Sequence, residues 1–214
     1  MLVKICGIRR ESDITYVNEL KPDFIGFVFA LNKTRTITVD EALKLKSLLN
    51  KDIKAVGVFR NNDINLIKEI VKLNIIDYIQ LHGDEDDEYI LEIKKFSNLP
   101  IIKAYRDSIY ANYRLYDNLD PGKGNGFDWN LIKNNKPFFL AGGINIDNVD
   151  DAKKLNPFCI DVSSSVETDG FKDYIKMRDF IRKCKNEWFK VWYIWWTICS
   201  RNINECCTWG WRSI

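Results

Sequence analysis

The sequence contains one histidine, His82, and no Cys-x-x-Cys pair, although it has six cysteines, Cys6, Cys159, Cys184, Cys199, Cys206 and Cys207. A metal site built on paired thiolates is therefore not expected, and a lone histidine adds little to that case. No run of about 20 apolar residues occurs, so no segment reads as a membrane span. The chain does not open on a charged stretch followed by a long apolar one, so no secretory leader is expected. That favours a reducing cytoplasm, in which Cys6 is a free thiol. An excess of charge of one sign is also lacking. With 32 basic and 30 acidic residues the formal net charge is +2, which gives no footprint for nucleic acid or an anionic membrane surface. G-x-G-x-x-G does not follow the first strand-like run and G-x-S-x-G is missing, which argues against a dinucleotide fold and a serine hydrolase.

What is present is a globular pattern, 46% hydrophobic and 29% charged, in a chain of 214 residues. Short apolar runs alternate with amphipathic stretches. The strand candidates are 2–7, 24–29, 54–59, 78–83, 100–105, 113–118, 137–143 and 159–165. Most lack strict polar alternation, as parallel strands covered on both faces do. Helical periodicity fills 11–20, 38–49, 63–73, 86–96, 145–155 and 171–185. Thr38 stands three residues before Glu41, the spacing of a capping box. The segments after strands five and six are short, with small helices or none. Strand and helix units in series predict an α/β fold, a compact (β/α)8 barrel closing by about residue 185, with an open doubly wound sheet as the alternative.

Cys6-Gly7, His82-Gly83, Asp117-Asn118, Gly142-Gly143 and Ser163 to Ser165 all fall at carboxyl ends of predicted strands. In such a barrel those ends line one face, where the chemistry is done. The loops after strands seven and eight, "AGGIN" and "DVSSSVE", offer bare backbone N–H groups and hydroxyls, which suits a phosphate. Asp117 ends an apolar strand. It either caps a turn or, half-buried at the barrel mouth, donates a proton. Asp128 competes for that role but better fits a helix cap. Arg35, after strand two, is either solvated or a bidentate clamp on a carboxylate. His82 suits packing or a backbone hydrogen bond better than a metal. Cys6 is by default a buried thiol, but at a strand end on the phosphate face it can serve as nucleophile or base.

The strings "VKICGI", "GFVF", "VGVF", "IQLHGDE", "FDW", "AGGI" and "DVSSSVE" resemble, in order and spacing, the phosphoribosylanthranilate isomerase family of tryptophan biosynthesis. The resemblance covers about residues 2 to 185. It implies an isomerisation of a phosphosugar without cofactor, by acid and base alone. Cys6 stands where the family has its base, Asp117 its acid and Arg35 its clamp on the anthranilate carboxylate. Phosphate would lie at Gly142, Gly143, Ser164 and Ser165. Lys4 is the neighbouring cation that would favour a thiolate, and with His82 and Arg35 it is counted among the substrate-binding candidates. A small-molecule substrate is expected, and a monomer, with a dimer as the alternative. Departures from the family pattern are Ser165 in place of glycine, Lys33 in place of serine, Lys123 within a glycine-rich loop, and the short segment 106–112. If the Ser165 site needs a positive φ, serine costs about 1 kcal/mol there. The competing readings are a histidine-pathway sugar isomerase, which uses an aspartate where this chain has Cys6, and a non-catalytic phosphosugar-binding barrel.

Composition changes after Lys185. Residues 186–214 hold six of the seven tryptophans and three of the six cysteines. An interfacial anchor is one reading. Back-translation explains more. With chosen codons, Val191 to Thr208 read one base further on gives YGIFGGQYVPETLMNAV, which resembles the N-terminal stretch of the tryptophan synthase β subunit. The expected organisation is thus a barrel over 1–187 and an out-of-frame tail over 188–214.

Overall fold

The computed structural model describes residues 1–31, 34–117, 132 and 136–185. Eight strands follow one another round a closed parallel barrel: β1 (Leu2–Cys6), β2 (Phe24–Val28), β3 (Lys54–Phe59), β4 (Tyr78–Leu81), β5 (Ile101–Ala104), β6 (Tyr113–Tyr116), β7 (Phe138–Leu140) and β8 (Cys159–Val162). Each pairs with the next, and β8 returns to β1 through registers such as Lys4 beside Asp161. Six helices are described: α1 (Glu11–Leu20), α2 (Val39–Leu48), α3 (Ile64–Lys72), α4 (Asp87–Lys94), α5 (Val149–Lys154) and α6 (Tyr174–Lys185). This is the (β/α)8 barrel expected.

Local chemistry sets the elements. The Glu41 N–H donates to Thr38 Oγ1 at 3.2 Å, and the Thr38 N–H donates to Glu41 Oε2 at 2.7 Å. That reciprocal pair starts α2 and satisfies two backbone donors that a helix start leaves without partners. Asp63 and Asp86 cap α3 and α4 in the same position, each carboxylate accepting a first-turn N–H. No helix lies between β5 and β6, where only residues 105–112 intervene. Two features escape the periodicity. A 3₁₀ turn at Ser164–Val166 follows β8, and a small hairpin, β9 (Glu167–Thr168) with β10 (Phe171–Lys172), precedes α6. Apart from β3, which spans its predicted run, the strands stop one to three residues short of the apolar runs, leaving those residues to the loops.

Two apolar layers are built from alternate positions of the same strands. Outward residues such as Val3, Ile5, Ile25, Ile79 and Ile160 pack under the helices. Inward residues Phe24, Val56, Ile102, Leu115, Phe139 and Cys159 fill the barrel floor. There Phe24, Tyr78, Tyr113, Phe139 and Phe158 meet edge-on or tilted, with centroids 4.8 to 6.4 Å apart. A side chain of this size contributes about 1.5–3 kcal/mol when fully buried. The aromatic plug also closes the amino-terminal end to water. Polar groups higher in the barrel can therefore meet solvent or ligand only at the carboxyl-terminal face.

Candidate active site

Above the aromatic floor the inward positions turn polar. On β1 the inward series runs Leu2, Lys4, Cys6; along β4 it runs Tyr78, Gln80 and continues to His82 just past the strand; along β8 it runs Cys159, Asp161 and continues to Ser163 just past it. Lys4 is fully buried, and its ammonium donates to Asp161 Oδ2 at 2.6 Å and to Gln80 Oε1 at 2.9 Å. Burial works against its charge, but Asp161 and the adjacent Cys6 outweigh that and raise its pKa. The lysine points into the barrel beneath the thiol and does not reach the open face.

Cys6 ends β1, half-buried and a free thiol, packed against Val28, Ala30 and Val58. Burial pushes the thiol up. Lys4 pulls it back, Asp161 pushes it further up, and Lys172 pulls it down. Gly7 then turns the chain at φ +85°, and a Cβ there would come within 2.4 Å of Arg35 Cδ. Only glycine fits that position for both reasons. The Arg35 side chain therefore lies across the backbone just beyond the thiol.

Arg35 grips Glu167 with both ends of its guanidinium, Nε to Oε1 at 2.8 Å and a terminal nitrogen to Oε2 at 2.6 Å. Buried Lys172 joins the same carboxylate at 2.6 Å and also donates to the Ser163 carbonyl at 3.1 Å. Burial raises the Glu167 pKa, but Arg35 and Lys172 more than reverse this and hold it below the usual range. Glu167 raises the pKa of Arg35 in turn. The arginine predicted to clamp a carboxylate thus already holds one, in the bidentate geometry such a clamp uses. Glu167 and Lys172 were not among the candidates; the only trace of Glu167 was its place in "DVSSSVE".

The other side of the mouth is built by β4, β5 and β6. His82 was expected to pack or to bond backbone; its ring packs edge-on against Tyr105, with centroids 5.0 Å apart, and its nitrogens bond side chains. Gln80 Nε2 lies 3.0 Å from its Nδ1, while Tyr105 Oη and Asp117 Oδ2 lie 3.0 and 3.2 Å from its Nε2. Tyr105 holds φ +64°, a strained backbone for a bulky residue. That twist follows directly on β5. Burial and the Asp117 charge both raise the Tyr105 pKa, so it remains a phenol. The loop after His82 is fixed from below. Glu85 turns back to accept the N–H groups of Gly83 and Asn61, and buried Lys103 donates to Glu85 and to the Gly83 carbonyl. The string "HGDE" is thus a self-anchored loop that presents His82.

The phosphate candidates lie after β7 and β8. Gly142 and Gly143 both have positive φ, at 86° and 73°, and a Cβ on Gly143 would meet nothing within 4 Å. Ser165 is not among the positive-φ residues. It sits in the 3₁₀ turn, so the cost expected for serine in place of glycine is not incurred. Its hydroxyl is buried without a hydrogen-bond partner among the described residues. Ser164 is exposed beside it. Lys33, Asn118, Lys123 and Asp128 lie outside the described residues, as do 186–214. Among the described residues no helix is long and apolar enough to cross a membrane and no acidic, histidine or cysteine cluster could hold a metal ion.

Fold and site together place the chain among (β/α)8-barrel enzymes whose titratable groups gather at the carboxyl-terminal face. The profile of N-(5'-phosphoribosyl)anthranilate (PRA) isomerase matches residues 3–183. The N-(5'-phosphoribosyl)anthranilate isomerase of Endomicrobium trichonymphae is 45% identical over 193 residues, covering 84% of this chain and 96% of that protein. The solved phosphoribosyl anthranilate isomerase of Thermus thermophilus superposes with a TM-score of 0.78 at 29% identity, over 87% of this chain and 99% of that one. A phosphoribosyl anthranilate isomerase in complex with reduced 1-(o-carboxyphenylamino)-1-deoxyribulose 5-phosphate superposes with a TM-score of 0.73 at 30% identity, over 87% of this chain and all of that one. The chain belongs to the N-(5'-phosphoribosyl)anthranilate isomerase family.

Proposed function

We propose that this protein converts N-(5'-phosphoribosyl)anthranilate into 1-(2-carboxyphenylamino)-1-deoxyribulose 5-phosphate, a step of tryptophan biosynthesis, in the cytoplasm and without a cofactor. The observation that carries the reading is the pairing, in a chain of this family, of a thiol at the end of β1 with a carboxyl just past β6 on one barrel face. In our scheme Asp117 protonates the ribose ring oxygen, and the C1'–O bond breaks to leave a Schiff base. Cys6 thiolate then takes the C2' proton, and the electron pair moves to give the enolamine, which becomes the ketone. Acid and base catalysis of this kind each supply about 10²–10⁴-fold.

Arg35 binds the anthranilate carboxylate in this reading. To do so it exchanges Glu167 for the substrate, and Lys172 keeps Glu167 neutralised when the arginine leaves. The open Gly142-Gly143 turn and the Ser164 and Ser165 hydroxyls take the phosphate, with the unpartnered Ser165 Oγ as the polar group that supports this. Lys4 acts on the thiol from below. Its ammonium is held by Asp161 and Gln80, so it is a positioning residue and does not touch substrate.

Residues 188–214 are, in our reading, translation past the end of the isomerase in the wrong frame. The family profile ends at residue 183, and 84% of this chain spans 96% of the Endomicrobium protein. The nucleotide sequence tests this, and absence of a β-subunit-like frame would sink it. The enzymatic reading is tested by following the loss of phosphoribosylanthranilate fluorescence with the wild type, Cys6→Ala and Asp117→Ala. Turnover by the wild type with both variants crippled is expected. Full activity in either variant removes that residue from its role.

A further inference from the structure

Hydrogen-bond direction can be followed from one end of the barrel's polar layer to the other. It starts at Lys4, whose ammonium has donors only. The Gln80 atom that it meets at 2.9 Å must be the carbonyl oxygen. The amide of Gln80 is thereby fixed, and its NH₂ is the end that lies 3.0 Å from His82 Nδ1. An NH₂ group has no lone pair to offer, so Nδ1 must be the acceptor and carry no proton. The proton of the neutral ring then sits on Nε2, which lies 3.2 Å from Asp117 Oδ2 and 3.0 Å from the Tyr105 oxygen. An imidazolium would set an N–H against the Gln80 N–H.

We infer that Gln80, held by the Lys4–Asp161 pair, locks His82 in the neutral Nε2–H tautomer, and that His82 in this form is a positioning residue for the acid Asp117. This rests on the proposed role of Asp117. Because His82 Nε2–H donates to Oδ2, the transferable proton of Asp117 resides on the other oxygen, Oδ1. When Oδ1–H passes its proton to the ribose ring oxygen and the ring C–O bond takes its electron pair to that oxygen, the carboxylate left behind is already hydrogen-bonded. A donor fixed beforehand at an oxygen that becomes anionic lowers the barrier of the step. The positive-φ strain at Tyr105 fits this account, since it brings a second oxygen to the same ring nitrogen and fixes the ring plane.

The single histidine makes the test direct. In ¹⁵N-labelled full-length protein at pH 7.5, long-range proton–nitrogen correlation gives one imidazole pattern, which reports the tautomer. The Nε2–H pattern is expected, and an Nδ1–H pattern or an averaged mixture overturns the lock. Gln80→Glu replaces the amide donor by an acceptor and should move the ring to a form protonated on Nδ1. Gln80→Met removes the donor at similar volume and serves if the new carboxylate prevents folding; it should give the averaged mixture. Either variant should lower kcat by about 10²-fold with KM little changed, the size of losing one fixed donor. An altered tautomer with unchanged kcat overturns the positioning role. Asp117→Asn separates the two ideas. If it leaves a measurable residual activity and Gln80→Met costs nothing further in that background, both stand; if Asp117→Asn is fully active, the acid assignment fails while the tautomer result is judged on its own spectrum.

Discussion

The Cys6 thiol lies against the bare Cα of Gly26, its neighbour in the β1–β2 register. A Cβ on Gly26 would come within 2.7 Å of the sulfur and 3.1 Å of the Cys6 Cα. Backbone strain does not enter, because Gly26 is not among the positive-φ residues. Gly26→Ala should therefore fold and move the thiol without removing any chemical group. A displacement of about 1 Å at a reacting atom can cost about 10²-fold. We expect kcat to fall by that order with the circular dichroism unchanged, and steady-state assay beside a melt checks both.

Arg35 makes two parallel bonds to Glu167, and in our proposal the same fork binds the substrate carboxylate. Lysine keeps the charge but loses the fork. Charge-assisted hydrogen bonds are worth about 1.5–3 kcal/mol each. Arg35→Lys should then raise KM by about 10- to 100-fold. Because the anthranilate carboxylate is remote from the atoms that react, kcat should change much less. A loss confined to kcat would remove Arg35 from the carboxylate.

The barrel itself was legible because eight apolar runs, most without polar alternation, are what parallel strands covered on both faces need, and no G-x-G-x-x-G favoured the open sheet. The placement of Cys6 and Asp117 at the carboxyl-terminal ends of β1 and β6 was also legible, since strand ends in such a barrel share one face. Gln80 was hidden inside an apolar run, two residues before His82. Its meaning depends on Lys4, 76 residues away in sequence, and no local pattern carries that. The side-chain partners of His82 were hidden for the same reason: they come from β4 and from the residues just past β5 and β6. Of the hairpin bearing Glu167 and Lys172, β10 falls inside the stretch 171–185 expected to be helical and β9 between the predicted elements, because each strand has only two residues. Too few positions exist there for a period of two to show.

Burial holds the Cys6 thiol above its ordinary range, with Lys4 and Lys172 working against that shift. A base with a raised pKa is mostly protonated at neutral pH, so the active fraction grows as pH rises toward that pKa. The wild-type kcat/KM should accordingly climb from pH 7 to pH 9, and a profile flat over that range would contradict a thiolate base. Cys6→Ala should lose about 10²–10⁴-fold and the ascending limb with it. Stopped-flow or steady-state fluorescence over the pH series measures both effects.

Lys103 and Glu85 form a pair at 3.2 Å, each 2% exposed in the side chain. Breaking such a pair from one side leaves an uncompensated buried charge and costs about 3–5 kcal/mol. Glu85→Gln should be destabilised by that order, and it also weakens the acceptor for the Gly83 and Asn61 N–H groups. The pH dependence of the deficit separates the two causes. Burial already lowers the Lys103 pKa, with Glu85 opposing that shift. Without Glu85 the pKa falls further, while the unfolded lysine stays at about 10.4. Between the variant's folded value and the wild type's, only the variant binds fewer protons folded than unfolded, so its stability relative to the wild type rises with pH there. Urea unfolding at pH 7 and pH 9.5 should show the deficit of Glu85→Gln shrinking at the higher pH. A deficit equal at both would assign the loss to the loop hydrogen bonds and not to the stranded ammonium.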